Sequence, residues 1–112
     1  MRHILISWLL LLLLGTEANA ATYTISGQVA LLRSHDAALG LDWFSLAGAS
    51  SAGACGTYGG AVVMRLRDDA RGQRQFSMLL AAKMSGTAVQ VTLDDSVVDG
   101  YGHCYVRYLD VI

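Results

Sequence analysis

QRQFSMLLAAKMSGTAVQVTL, residues 73–93, is the stretch in which the hydrophobic period changes, and it decides the fold. Phe76, Leu79, Leu80, Lys83 and Met84 recur at i, i+3, i+4, i+7 and i+8, the spacing of one helical face. Ala81 and Ala82, good helix formers, lie between them. Asp68 or Asp69 supplies a carboxylate for the free N–H groups at the start. Gly86 stands where a left-handed stop belongs, so the spacing predicts a helix over about 70–85, with Phe76, Leu79, Leu80 and Met84 plugging an open end or face of a curled sheet. From Thr87 to Leu93 the period falls to two: Val89, Val91 and Leu93 alternate with Ala88, Gln90 and Thr92, as in a half-buried strand.

Period two also governs the flanks. In 22–32, Tyr23, Ile25, Gly27, Val29 and Leu31 alternate with Thr24, Ser26, Gln28 and Ala30, which predicts one strand with a single inward face. Residues 42–47, carrying Trp43, Phe44 and Leu46, predict a second, and the Gly/Ser/Ala-rich run 48–60 a loop. Residues 61–66 predict a third strand, with Val62, Met64 and Leu66 inward and Val63, Arg65 and Arg67 on a wet side. After the helix and fourth strand, Asp94-Asp95-Ser96 and Asp99-Gly100 carry turn chemistry. Residues 102–111 then place Cys104, Val106 and Tyr108 on one face and His103, Tyr105, Arg107 and Leu109 on the other. The order is β-β-β-α-β-β, mainly β with one helix. It fits an OB-like small barrel, or alternatively an open α+β sheet with the helix across one face.

Residues 1–20 stand apart from this pattern. Arg2 and His3 precede an apolar run from Ile4 to Leu14 that contains six consecutive leucines, and Ala18-Asn19-Ala20 follows. A charged start, a short apolar core and an A-x-A site form the pattern of a secretory signal peptide, cleaved after Ala20. As a helix the run reaches roughly 16 Å, about half of the hydrocarbon core a membrane anchor must cross. The expectation is therefore a single exported domain, 21–112, secreted or periplasmic and without a membrane span.

Cys55 and Cys104 are the only cysteines, so in an oxidising compartment they have one possible pairing. Closing a loop of about 50 residues contributes roughly 4 kcal/mol in the chain-entropy model. Small domains commonly have a net stability of about 5 to 10 kcal/mol, so this bond would be a large share of the total.

The net charge is −1, and removal of 1–20 takes Arg2 and Glu17 together, leaving it unchanged. That gives no electrostatic basis for nucleic-acid binding, and Arg65, Arg67, Arg71 and Arg74, with Asp68 and Asp69 among them, read as a solvated face. Catalytic signals are weak too. In Ser34-His35-Asp36 adjacent side chains point apart and do not form a relay. His35 and His103 lack metal-ligand spacing, and Gly53, Gly56, Gly59 and Gly60 lack the lysine and helix of a phosphate loop. No catalytic residue, metal or cofactor is expected. Binding is better supported, because Trp43, Tyr58 and Tyr101 offer aromatic faces beside loops rich in hydroxyls and amides. An aromatic ring stacks on the apolar face of a sugar while nearby polar groups take its hydroxyls.

The amphipathic helix of 73–85, the Gly86 stop, the strand to Leu93 and the cysteine in the final strand, His103-Cys104-Tyr105, together resemble the B subunits of bacterial AB5 toxins. The likeness is to the subtilase-cytotoxin and pertussis-like branch, and it covers roughly the last 40 residues in pattern. It implies a small secreted OB-fold domain, a disulfide, a homo-oligomeric ring (a pentamer) and a glycan or glycoconjugate as partner. No residue of a family glycan motif can be matched in the first half of the chain. The reading is a non-enzymatic exported binding domain, and the resemblance implies a glycan-binding, toxin-B-like subunit. The alternative is a periplasmic or secreted protein-binding module, such as a hydrolase inhibitor.

Overall fold

The computed structural model describes residues 21–35 and 41–112. The expected signal peptide, 1–20, lies outside them, as do residues 36–40. Thr22–Gly27 (β1) and Val29–Arg33 (β2) are one run of chain interrupted at Gln28. Trp43–Leu46 (β3), Thr57–Tyr58 (β4), Ala61–Val62 (β5) and Met64–Arg65 (β6) precede the helix Ala70–Ser85 (α1). Val89–Val98 (β7) and Cys104–Val111 (β8) follow it.

The large sheet runs β1-β7-β8-β6-β3-β2. Its two edge strands are consecutive pieces of the same chain segment. Bending that segment at Gln28 curls the sheet into a six-stranded half-barrel with β1 and β2 as its edges, consistent with an OB-like small barrel. Neighbours are antiparallel except β6 and β8, which are parallel. Phe44, Leu46, Met64, Val89, Val91, Leu93 and Cys104 fill the interior, each no more than 1% exposed.

The helix is capped as its ends predict. The Asp69 carboxylate accepts the Gly72 N–H at 2.9 Å, and Gly86 takes the left-handed conformation at φ 68° and closes the C-terminus. Its inward face differs from the expected one. Gly72, Gln75, Leu79 and Ala82 are buried, Phe76 packs at the edge of the core, and Leu80 and Met84 face outward. The small residues set this rotation. Gly72 lies so close to the Arg67 carbonyl that no side chain fits there, and the approach turns the Leu79 row, not the Leu80/Met84 row, into the barrel.

Three departures from simple alternation share one cause, a local change of register. The β2–β3 ladder slips between Val29 and Leu31, so Leu32, not Leu31, joins the edge of the core. The β7–β8 ladder pairs Thr92 with Tyr108 but Leu93 with Val106. Arg107 is the extra residue, and past it the faces exchange: Leu109 packs against the core and Tyr108 turns outward. The expected turn at 94–96 lies within β7, where the ladder resumes only at Val98 opposite Cys104. Within the expected loop 48–60, Thr57–Tyr58 instead form a short hairpin with β5.

The third predicted strand is split as well, and of its expected wet side only Arg67 is exposed. Val63 is 1% and Arg65 3% exposed, and Asp99 of the β7–β8 turn holds Arg65. Cys55 and Cys104 form the expected disulfide, with Cα atoms 5.3 Å apart. It ties the segment before β4 to the first residue of β8.

Candidate functional site

Trp43, Tyr58 and Tyr101, far apart in sequence, line one cleft of about 130 Å³. Each arrives by a different route. Trp43 opens β3 and is 7% exposed, Tyr58 closes β4, and Tyr101 rides the β7–β8 turn. The Trp43 and Tyr58 rings meet edge to face at 5.7 Å. The Arg33 guanidinium sits 5.1 Å from the Trp43 ring centre and 5.6 Å from that of Tyr58, so a cation spans both π faces. On the opposite wall Tyr101 stacks on His103 at 6.3 Å. Tyr58 and Tyr101 are 61% and 65% exposed, which leaves most of each ring for a partner.

Asp99 builds that second wall. One of its oxygens accepts the Tyr101 N–H at 2.8 Å and the His103 N–H at 3.0 Å. The other accepts the Arg65 Nε–H at 3.0 Å and lies 3.6 Å from the His103 imidazole. Burial by itself pushes the Asp99 carboxyl up. The N–H groups of His103 and Tyr101, the His103 charge and the Arg65 hydrogen bond outweigh it and hold the carboxyl below its ordinary value. Arg65 in turn donates to the carbonyls of Asp42 and Leu66. The carboxylate therefore shapes the turn, holds Arg65 and lies beside the His103 imidazole.

The disulfide braces the same wall. Next to it the Gly56 N–H donates to the Gly102 carbonyl at 2.9 Å, and a Cβ on Gly56 would stand 2.8 Å from the His103 ring. The Cys55 segment and the Tyr101–His103 turn thus touch without intervening side chains. Asp95 links two further segments to this region: it accepts the Ala21 N–H at 3.0 Å and the Ala54 N–H at 3.4 Å.

Sequence reasoning named the three aromatics but missed Arg33, Arg65, Asp99 and His103 as parts of their site. Asp99-Gly100 signalled a turn, yet nothing in the spacing tied that turn to Arg65, which alternation assigned to solvent. Among the described residues no group of three His, Cys, Asp or Glu side chains is arranged to hold a metal ion, and no helix is long and apolar enough to cross a membrane. Set against family models, curated proteins and solved structures, the chain has no match.

Proposed function

We propose that this chain is an exported, non-enzymatic binding domain that holds a sugar ring of a glycan between Trp43, Tyr58 and Tyr101. One observation carries the reading: three aromatic residues from separate segments converge on one cleft, bordered by the donors Arg33 and His103. Aromatic faces take the apolar side of a sugar, and guanidinium and imidazole N–H groups take its oxygens. The disulfide is compatible with an oxidising location, as export requires.

Size argues for multivalency. Ligand pockets of drug-like affinity usually measure about 300–1,000 Å³, and the cleft is about 130 Å³. One ring in so shallow a site binds at roughly millimolar strength, about −4 kcal/mol. A ring of identical subunits raises that by avidity, which accords with the resemblance to toxin B pentamers. The outward Leu80 and Met84 on α1 offer apolar surface for such an assembly.

A second reading, a protein-binding module such as a hydrolase inhibitor, is favoured by the high exposure of Tyr58 and Tyr101 beside arginine, the composition of interface anchors. A glycan array probed with residues 21–112, native and Tyr58→Ala, separates the two. Glycan binding that the substitution abolishes supports the first reading, and its absence at high protein concentration removes it. A size measurement on the same protein distinguishes ring from monomer, and a monomer counts against the toxin-like assembly.

A further inference from the structure

A second concave surface lies between the start of α1 and the β7–β8 hairpin, an open groove of about 830 Å³. Arg67, Arg71, Arg74 and Arg107 line it, with the carboxylates of Asp69 and Asp94. The sequence cluster around 65–74 is rearranged here. Arg65 leaves it to pair with Asp99 under the β7–β8 turn, while Arg107 joins it from β8, thrust outward as the extra residue of the bulge.

The two carboxylates remain anions, set against four guanidiniums, and each already accepts hydrogen bonds. Asp69 accepts the Gly72 N–H as the helix cap. Asp94 accepts the Ser96 N–H at 2.9 Å and its hydroxyl at 2.7 Å, and meets Arg107 only at 3.7 Å. Among the described residues Arg67, Arg71 and Arg74 form no ion pair. Arg67 lies 3.9 Å from the Tyr105 ring centre, which holds its guanidinium against the sheet. A chain of net charge −1 thus concentrates four guanidiniums on one face.

We infer that this groove binds a ligand carrying two or more sulfate or phosphate groups. Valence decides the ligand class. A single exposed ion pair contributes little, so a monocarboxylate gains almost nothing here. Sulfate and phosphate each present three oxygens to planar guanidinium forks, and two such groups on one ligand engage arginines of both α1 and β8. The inference stands apart from the aromatic cleft and does not depend on it.

The test is calorimetric titration of the intact 21–112 domain at low salt with two probes, a sulfated glycosaminoglycan tetrasaccharide and inositol hexakisphosphate. Saturable binding of either is expected, and the tighter probe identifies sulfate or phosphate as the group recognised. Arg71→Gln/Arg74→Gln together are expected to weaken it at least about tenfold, and Arg107→Gln about fivefold. Lys83→Gln, which removes a charge at the far end of the helix, leaves it within about twofold. All four positions are exposed, so matched thermal melts establish that the variants fold. No saturable binding of either probe, or undiminished binding by the folded double variant, would overturn the inference.

Discussion

Replacing Asp99 with alanine tests how the barrel supports its cleft. The substitution takes the Asp99 partner from Arg65, whose side chain is 3% exposed, and the acceptor from the N–H groups of Tyr101 and His103. Removing one member of a buried ion pair commonly costs about 3–5 kcal/mol. The Asp42 and Leu66 carbonyls still receive Arg65, and Asp68 stands 3.7 Å from it, so the lower end applies, about 3 kcal/mol. In a domain of this size each kcal/mol moves the melting temperature by about 4–8 °C, which predicts a fall of roughly 12–24 °C in a thermal melt near neutral pH. Adding Arg65→Met removes the stranded charge and is expected to restore more than half of the loss, because an apolar side chain of similar length suits that site. A fall below about 4 °C in the single variant, or no recovery in the double, would refute the reasoning.

Other predictions follow from the same contacts. Cys55→Ser/Cys104→Ser should cost about 4 kcal/mol, and reductant should lower the melting temperature of the native protein alike; equal melts with and without reductant would show the thiols unpaired. Gly72→Ala, which helix propensity alone would favour by about 1 kcal/mol, should instead destabilise by about 1–3 kcal/mol, because the methyl group meets the Arg67 carbonyl; chemical denaturation reads the sign. The Asp99 carboxyl titrates lower in the fold than in the open chain, whose value is near 3.8. Its stabilisation is therefore complete above that pH and is lost as pH falls through the lower folded value. Melting temperature followed from about pH 6 to about pH 2 should drop more steeply for the native protein than for Asp99→Asn, and parallel curves would contradict this.

The helix, its two caps, the succession of strands on either side of it and the disulfide partners were legible because each rests on local chemistry: a carboxylate before a helix, a glycine after it, period two in the strands, and one possible cysteine pair. The errors lie where register or close approach intervenes. Bulges at Ala30 and Arg107 exchanged the faces of Leu31 and Leu32, and of Tyr108 and Leu109, and no residue type there marks a bulge. The helix was rotated by Gly72 and Ala82, which carry no strong hydrophobic signal but permit contact. Arg65 looked solvated because its counter-ion, Asp99, lies 34 positions away on a turn that folds over β6. The three aromatics were visible as residue types, but their meeting depends on how the curled sheet and the β7–β8 turn come together, which no local pattern encodes.

A ¹⁵N and aromatic ¹³C chemical-shift titration of the oxidised 21–112 domain with a glycan selected on the array tests the cleft most directly. The Trp43 indole and the rings of Tyr58 and Tyr101 should shift together along one binding curve, and reductant should abolish the response by releasing the Cys55 segment from the Tyr101–His103 turn. Shifts confined to other surfaces, with those three rings unmoved at saturation, would contradict the account.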